Sequence, residues 1–166
     1  MTWPDLSTQS WIAIAVTFVV GGLGGALTDV SPWYKALRVP SWKPPDWVFG
    51  PGWTVILSLA CYAAIQGWQA MAPGPFRWAV MCGFIANGAL NAGWSLLFFK
   101  LRRPDWALAE VPFLWLSVIV LIACLAPSSG TAAWCLVPYA VWVVFAASLN
   151  RAVVRLNGPF GRAVSS

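Results

Sequence analysis

The sequence of 166 residues contains no histidine and few charged side chains of either sign. Only 9% of the residues are Asp, Glu, Lys or Arg, whereas a soluble domain carries about a quarter. Without histidine, imidazole-based zinc sites and catalytic triads with a histidine base are excluded. The four cysteines stand singly, without a CxxC spacing, and we interpret them as small apolar packing residues. We therefore expect no metal site, no bound cofactor and no acid–base or nucleophilic catalytic centre.

Long apolar segments are what the sequence has in abundance, since 60% of its residues are hydrophobic. Five runs each approach or exceed the roughly 20 residues that a helix needs to cross a hydrocarbon core of about 30 Å. We predict an all-α, polytopic membrane protein, a bundle of five transmembrane helices that forms one domain over residues 1–166. The predicted helices cover about 11–30, 51–70, 77–99, 106–126 and 132–154, with a connecting loop at 31–50.

The basic residues predict how the bundle is oriented. Nine of the ten Lys and Arg residues lie on one side of the five crossings, and only Arg77 lies on the other. The positive-inside rule then puts the amino terminus outside and the carboxy terminus in the cytoplasm, and we predict a bacterial inner membrane. Because topology accounts for the net charge of +5, nucleic acid is not expected as a partner. The nine residues are Lys35, Arg38, Lys43, Lys100, Arg102, Arg103, Arg151, Arg155 and Arg162.

Two of the predicted helices carry polar and aromatic side chains that repeat every three or four residues and so share one helical face. They are Asn87, Asn91, Trp94 and Phe98 on the third helix, and Tyr139, Trp142, Ala146 and Asn150 on the fifth. An asparagine in lipid costs free energy unless it is paired. Two interpretations of Asn87 and Asn91 stay open: they line a cavity, or they only bond a neighbouring helix, which contributes about 1 kcal/mol or less.

The segment between the first two helices has an unusual composition. Residues 33–53 read WYKALRVPSWKPPDWVFGPGW and contain four tryptophans, four prolines and three basic residues. Tryptophans at the headgroup level are typical of an aromatic belt, but a belt does not need prolines, which stiffen the backbone outside the helices. We interpret residues 31–50 as a lid that closes over a flat apolar ligand and offers cations to acidic groups at its edge.

This segment resembles the signature W-Y-x-x-L-x-K-P-x-W-x-P-P-x-W-x-F-x-x-x-W of the TspO/MBR family, which comprises tryptophan-rich sensory proteins, peripheral benzodiazepine receptors and translocator proteins. Two further motifs are similar in order and spacing: NxxW followed by a double aromatic, from Asn91 to Phe99, and PYxxWxxFAxxLN, from Pro138 to Asn150. The resemblance covers nearly the whole chain. It implies a homodimer of five-helix bundles, each with a pocket in its cytoplasmic half beneath the loop that joins the first two helices.

The resemblance also implies a receptor or carrier that binds tetrapyrroles such as protoporphyrin IX and haem, as well as sterols and benzodiazepine-type compounds, and acts in porphyrin sensing or transport. It leaves an alternative open, a light-dependent porphyrin-degrading enzyme in which Trp53 and Trp142 carry the activity. To the residues carried over by motif position we add Tyr139 from the stripe on the fifth helix. The expected pocket residues are Tyr34, Trp42, Pro44, Trp53, Asn87, Asn91, Trp94, Tyr139, Trp142, Ala146 and Leu149.

Two positions depart from the family pattern. Val39 replaces the lysine before the first lid proline, and Arg151 stands where animal members have the tyrosine of a sterol-recognition pattern, so sterol binding through that pattern is not expected. We expect Lys35, Arg38 and Lys43 to supply cations at the rim of the pocket. The alternative is that these three side chains only contact anionic lipid headgroups, at about 1 kcal/mol each.

Overall fold

Helices make up most of the computed structural model, which describes residues 8–161. They are α1 (Thr8–Leu27), α2 (Pro32–Ala36), α3 (Phe49–Ala70), α4 (Pro75–Ser95), α5 (Pro104–Leu125) and α6 (Gly130–Asn157). A short 3-10 helix, Asp46–Val48, precedes α3, and a π-helical turn, Leu96–Lys100, continues α4. Within residues 8–161, five helices are long and apolar enough to cross a membrane. The predicted bundle of five transmembrane helices is confirmed.

Proline and serine residues explain where several helices begin. Pro32, Pro75 and Pro104 each occupy the start of a helix, where a fixed φ is favourable and a missing N–H leaves no acceptor unpaired. At the start of α6, the Ser129 side chain accepts a hydrogen bond from the Ala132 N–H at 3.2 Å, which is the usual role of an N-cap serine. These prolines and this serine therefore set where the four helices begin.

The predicted boundaries agree with these helices to within a few residues, and the largest differences lie at the lid. The first helix ends at Leu27 instead of residue 30, and Ser31 is extended, as is usual for a residue that precedes proline. Residues 31–50, predicted as a loop, contain α2, the 3-10 helix and the first residues of α3. The lid is thus a partly helical segment, and its side chains point in directions that a loop prediction did not specify.

The five membrane-crossing helices form a closed ring in the order α1, α3, α6, α5, α4. Its core lies where α5 and α6 meet α3 and α4. The core side chains are mostly aliphatic, and they interdigitate along the lengths of α5 and α6. Among them are Ile56, Val80, Val111, Leu114, Val118, Leu121, Leu125, Leu136 and Val143. This half of the ring is a packed scaffold.

Helix α1 packs less tightly than the others. Of its residues whose burial is described, only Ser10 is buried. It approaches α4 at Gly88, where an added Cβ would lie 2.8 Å from a methyl group of Val20, so this close approach requires glycine. Beyond that contact, towards its carboxy-terminal end, α1 borders an open space instead of a core.

The end of the bundle that carries the lid also holds most of the basic residues. The side-chain amide of Asn157, at the end of α6, accepts from the Arg38 N–H and donates to the Arg38 carbonyl, both at 2.8 Å. The Arg102 guanidinium lies 5.8 Å from the centre of the Trp33 ring. Arg77 lies at the other end, over Trp68. The basic segments predicted to share one side do so within residues 8–161; Arg162 lies outside the described residues.

Candidate ligand-binding cavity

A cavity of about 810 Å³ lies beneath the lid, enclosed by α1, α3, α4 and α6. Ligand pockets in proteins commonly have about 300–1,000 Å³, so this one accommodates a large ligand. Most of its surface is apolar, and its only charged side chains within residues 8–161 are Lys43 and Asp46. It extends from the lid to Cys61 on α3 and Ile14 on α1.

One wall of the cavity is aromatic and belongs to the end of α4; we call it the α4 wall (Trp94, Phe98 and Phe99). The Trp94 and Phe98 rings are stacked with centroids 5.2 Å apart, and Phe98 lies 4.8 Å from Phe99. The π-helical turn begins at Leu96, whose carbonyl accepts from the Leu101 N–H at 2.9 Å. Because the turn holds an extra residue, it lets both consecutive phenylalanines face the cavity; π turns are frequent at functional sites.

A second aromatic wall is formed by α3 and α6; we call it the α6 wall (Phe49, Trp53 and Trp142). The Trp53 and Trp142 rings meet edge to face with centroids 6.2 Å apart, and Phe49 lies 6.0 Å from Trp142. A Cβ on Gly52 would lie 2.6 Å from the Trp142 ring. Only glycine at this position lets the indole lie against the start of α3.

The two asparagines of the predicted α4 stripe have different surroundings. Asn91 lines the cavity, and its side-chain amide donates to the Tyr139 hydroxyl at 3.2 Å. Asn87 is buried away from the cavity and donates to the Ser117 hydroxyl of α5 at 2.8 Å. Asn91 therefore combines the two roles left open by the sequence, whereas Asn87 has only the helix-bonding role. Tyr139 is also buried behind the lining, where it supports Asn91 and packs against Trp53.

The mouth of the cavity holds three polar groups that are bonded to one another. The Tyr34 hydroxyl donates to Asp46 Oδ1 at 2.8 Å, and the Lys43 ammonium forms an ion pair with the same oxygen. Lys43 Nζ also lies 5.7 Å from the centre of the Tyr34 ring and 5.9 Å from that of Phe49, which favours the ammonium. Burial and the bond to the Asp46 carboxylate raise the pKa of Tyr34 above its ordinary value, so the phenol stays a donor.

Four lid residues expected at the site do not line the cavity. Tyr34 faces inwards from α2, so the side chain of the next helical residue, Lys35, turns away and is exposed. The Arg38 backbone is held by Asn157 and its side chain is also exposed. Trp42 is half exposed and packs edge to face on Phe145, behind the α6 wall. Pro44 is half-buried, and its carbonyl lies 3.4 Å from Lys43 Nζ.

The remaining expected residues do line the cavity: Tyr34, Lys43, Trp53, Asn91, Trp94, Trp142, Ala146 and Leu149. The expected set omitted several parts of the lining, of which three bear on function. Phe98 and Phe99 carried a signal, since both belong to the quoted motif and Phe98 falls on the stripe of α4. Asp46 is the one acid of the lid, but only its position beside Lys43 and Tyr34 reveals its role. The glycine-rich end of α1 completes the lining with Gly21, Gly22, Gly24 and Gly25.

Comparison with known proteins agrees with this architecture. The sequence profile of the TspO/MBR family matches residues 13–156. The chain belongs to the TspO/MBR family. Among relatives, the chain is 32% identical over 154 residues to the Tryptophan-rich protein TspO of Chlorobaculum tepidum, a match that covers 88% of this chain and 94% of the relative.

The similarity extends to TspO/MBR proteins with other names. The Translocator protein of Sus scrofa is 32% identical over 154 residues, covering 89% of this chain and 91% of the relative. Protein CrtK of Rhodobacter capsulatus is 34% identical over 158 residues, covering 90% and 95%. Nearly the whole of this chain, including the lid and both walls, therefore lies within the matched region.

Proposed function

We propose that this TspO/MBR protein binds tetrapyrroles such as protoporphyrin IX or haem in the cavity under its lid and acts in porphyrin sensing or transport. The observation that carries the proposal is the combination of two aromatic walls with one lysine at the mouth of an 810 Å³ cavity. The same apolar space suits other flat ligands of the sterol or benzodiazepine type.

The shape and apolar faces of a porphyrin complement the walls of this site. Its macrocycle is flat and apolar over both faces, so it packs against rings such as Trp94 and Trp142, and each offset aromatic contact contributes about 0.5–1.5 kcal/mol beyond area burial. Its carboxylates lie along one edge and reach the mouth, where Lys43 lines the cavity and is paired with Asp46. For the exposed Lys35 and Arg38 side chains, we propose contact with anionic lipid headgroups in place of the rim role.

Quenching of tryptophan fluorescence by protoporphyrin IX tests this function. We expect saturable quenching of the purified protein and an affinity at least several-fold weaker for Trp142→Ala, because that change removes part of one aromatic wall. Trp134→Ala is the matched control, since Trp134 lies on the same helix but is 74% exposed. Quenching that does not saturate would contradict the proposal, and equal affinities for the two variants would remove Trp142 from the site.

A second function, light-dependent breakdown of the bound porphyrin, is favoured by one observation. Trp53 and Trp142 both line the cavity with ring centroids 6.2 Å apart, so two oxidisable indoles would lie against the pigment. Illuminating the complex in air separates the functions. If the wild-type protein converts the porphyrin spectrum and each of the single variants Trp53→Phe and Trp142→Phe leaves it unchanged, the enzymatic function holds. If the spectrum also persists with the wild-type protein, porphyrin binding without breakdown is the function.

For the membrane setting, we propose the bacterial inner membrane with the lid end in the cytoplasm. The support is the accumulation of basic residues at that end of the bundle. A cysteine-free variant with a single cysteine at Ala36, which is exposed on α2, tests the orientation. An impermeant thiol reagent should not modify this cysteine in intact cells, and modification there would reverse the assignment.

We also propose a homodimer that pairs through α4. Ala79 and Ala89 on this helix are exposed, and small residues permit close approach of helices in a membrane. Gly83 on the same helix instead packs within the bundle, because an added Cβ would lie 3.1 Å from Leu121. Cys82 is exposed on the same helix, so oxidative cross-linking through this cysteine alone should give a dimer. A monomer in both cross-linking and light scattering would contradict the proposal.

A further inference from the structure

Lys43 is the one cation that lines the cavity within residues 8–161, but in this structure its charge is already paired. Its ammonium contacts Asp46, and only 13% of its side chain is exposed, compared with 49% for Asp46. The ammonium also faces the Pro44 carbonyl at 3.4 Å and the Tyr34 and Phe49 rings. The lysine is therefore held at the mouth while its counter-charge lies on the more exposed side.

The Asp46 carboxylate is shared by both polar neighbours at the mouth. Its Oδ1 accepts from the Tyr34 hydroxyl at 2.8 Å as well as from Lys43, and Lys35 adds a weaker charge–charge attraction to the same carboxylate. The charges of Lys43 and Asp46 consequently cancel at the mouth of the cavity. An uncharged ligand leaves these bonds intact, whereas a carboxylate that approaches Lys43 must compete with Asp46 and is repelled by it.

We propose that Asp46 is a specificity-determining residue, which holds Lys43 in an ion pair and thereby makes the cavity discriminate against anionic ligands relative to uncharged ones of the same shape. This inference rests on the proposed function, because it concerns the ligand edge that reaches the mouth. Asp46 acts through Lys43, and its effect on affinity depends on ligand charge. A role limited to holding the lid closed would change the affinities of charged and uncharged ligands alike.

The test compares protoporphyrin IX with its uncharged dimethyl ester in micelles of a neutral detergent. Asp46→Asn keeps an oxygen that accepts from Tyr34 and Lys43 but removes the negative charge. We expect it to tighten binding of the diacid about fivefold, as suits a partly exposed ion pair, and to leave the diester unchanged. Lys43→Met should weaken binding of the diacid by about tenfold and leave the diester unchanged, since the charge at the mouth is then only negative.

Asp105→Asn is the matched control. Asp105 forms an ion pair with Arg103, its side chain is 30% exposed, and it does not line the cavity. This variant changes the net charge of the protein as Asp46→Asn does, but it does so away from the cavity. It should therefore alter the affinity for neither the diacid nor the diester. If it tightens diacid binding as much as Asp46→Asn, the effect belongs to the overall surface charge and the inference is overturned.

The remaining outcomes are also decisive. Equal changes for diacid and diester in Asp46→Asn, or no change for either, would overturn the inference and leave Asp46 as a residue that orders the lid. Diester binding by each variant reports that the cavity is folded, and Asp46→Ser, which also removes the negative charge, tests the inference if Asp46→Asn does not fold. Failure of the wild-type protein to bind either compound would instead contradict the proposed function, so the two failures are distinguishable.

Discussion

Helices α1 and α5 cross the same membrane but use their residues in opposite ways. Along α5, Val111, Val118 and Leu125 fall on one face and are buried against neighbouring helices. Along α1, the corresponding inward face carries Gly21 and Gly24 at its lid end, and an added Cβ on Gly24 would meet nothing within 4 Å. Helix α5 therefore fills the interior of the bundle with side chains, whereas α1 leaves space there.

The difference teaches where a membrane bundle can make room for a ligand. Helices in lipid are held together by packing, because lipid tails are as apolar as leucine. An empty volume within the packed half would therefore remove the side-chain contacts that hold its helices together. The cavity instead lies between that half and α1, with the lid above. One side of the protein is therefore a scaffold, and the other side can be altered with less effect on stability.

The largest effect is expected when the scaffold itself is damaged. Leu125→Ala removes a side chain that is fully buried and lies against Gly67 of α3. Truncation of a buried leucine costs about 2–5 kcal/mol of unfolding free energy, so the midpoint of thermal unfolding in detergent should fall by several degrees or more. Leu23→Ala on α1, at a side chain that is 48% exposed, is the control and should leave the midpoint within a degree or two. Equal losses at both positions would abolish the distinction between the two regions.

The scaffold was more predictable from the sequence than the cavity mouth. Five long apolar runs dictate five crossings, since length and hydropathy alone decide them, and the stripe through Asn91 and Trp94 followed from helical periodicity. The resemblance supplied the pairing of Trp53 with Trp142. These signals are either local along the chain or belong to a motif that covers it.

What the sequence did not predict depends on directions that only the folded lid defines. Lys35 and Lys43 are equivalent as basic residues of one loop, yet α2 turns the first outwards and the ion pair with Asp46 holds the second at the mouth. Likewise, the glycines of α1 produce no apolar or polar stripe, because a residue without a side chain contributes nothing to periodicity. Their role emerges only from the space that they leave beside α3.

A second prediction fills that space. Gly24→Leu places a side chain where α1 borders the cavity, so we expect protoporphyrin IX to bind at least tenfold more weakly. The fold should persist, because the added atoms meet open space and leucine is favoured over glycine in a helix by about 0.5–1 kcal/mol. Ala26→Leu, at an exposed position of the same helix that does not line the cavity, should leave binding unchanged. Unaltered binding by Gly24→Leu would mean that the ligand does not use the space beside α1.

The smallest effect is expected where the two regions are joined, at the contact between the lid and the end of α6. Asn157→Ala removes both hydrogen bonds to the Arg38 backbone, each worth about 0.5–1.5 kcal/mol when intact and less where water can replace it. The lid should therefore open more often, without a change in the scaffold. We expect faster amide hydrogen exchange at residues 37–39 and a several-fold faster dissociation of bound porphyrin, with an unchanged midpoint of thermal unfolding. Leu156→Ala, at the exposed neighbouring position, controls for changes at the helix end. If Asn157→Ala lowers the unfolding midpoint as Leu125→Ala does, the lid contact is part of the scaffold, and the division of the molecule into a rigid half and an adjustable half is wrong.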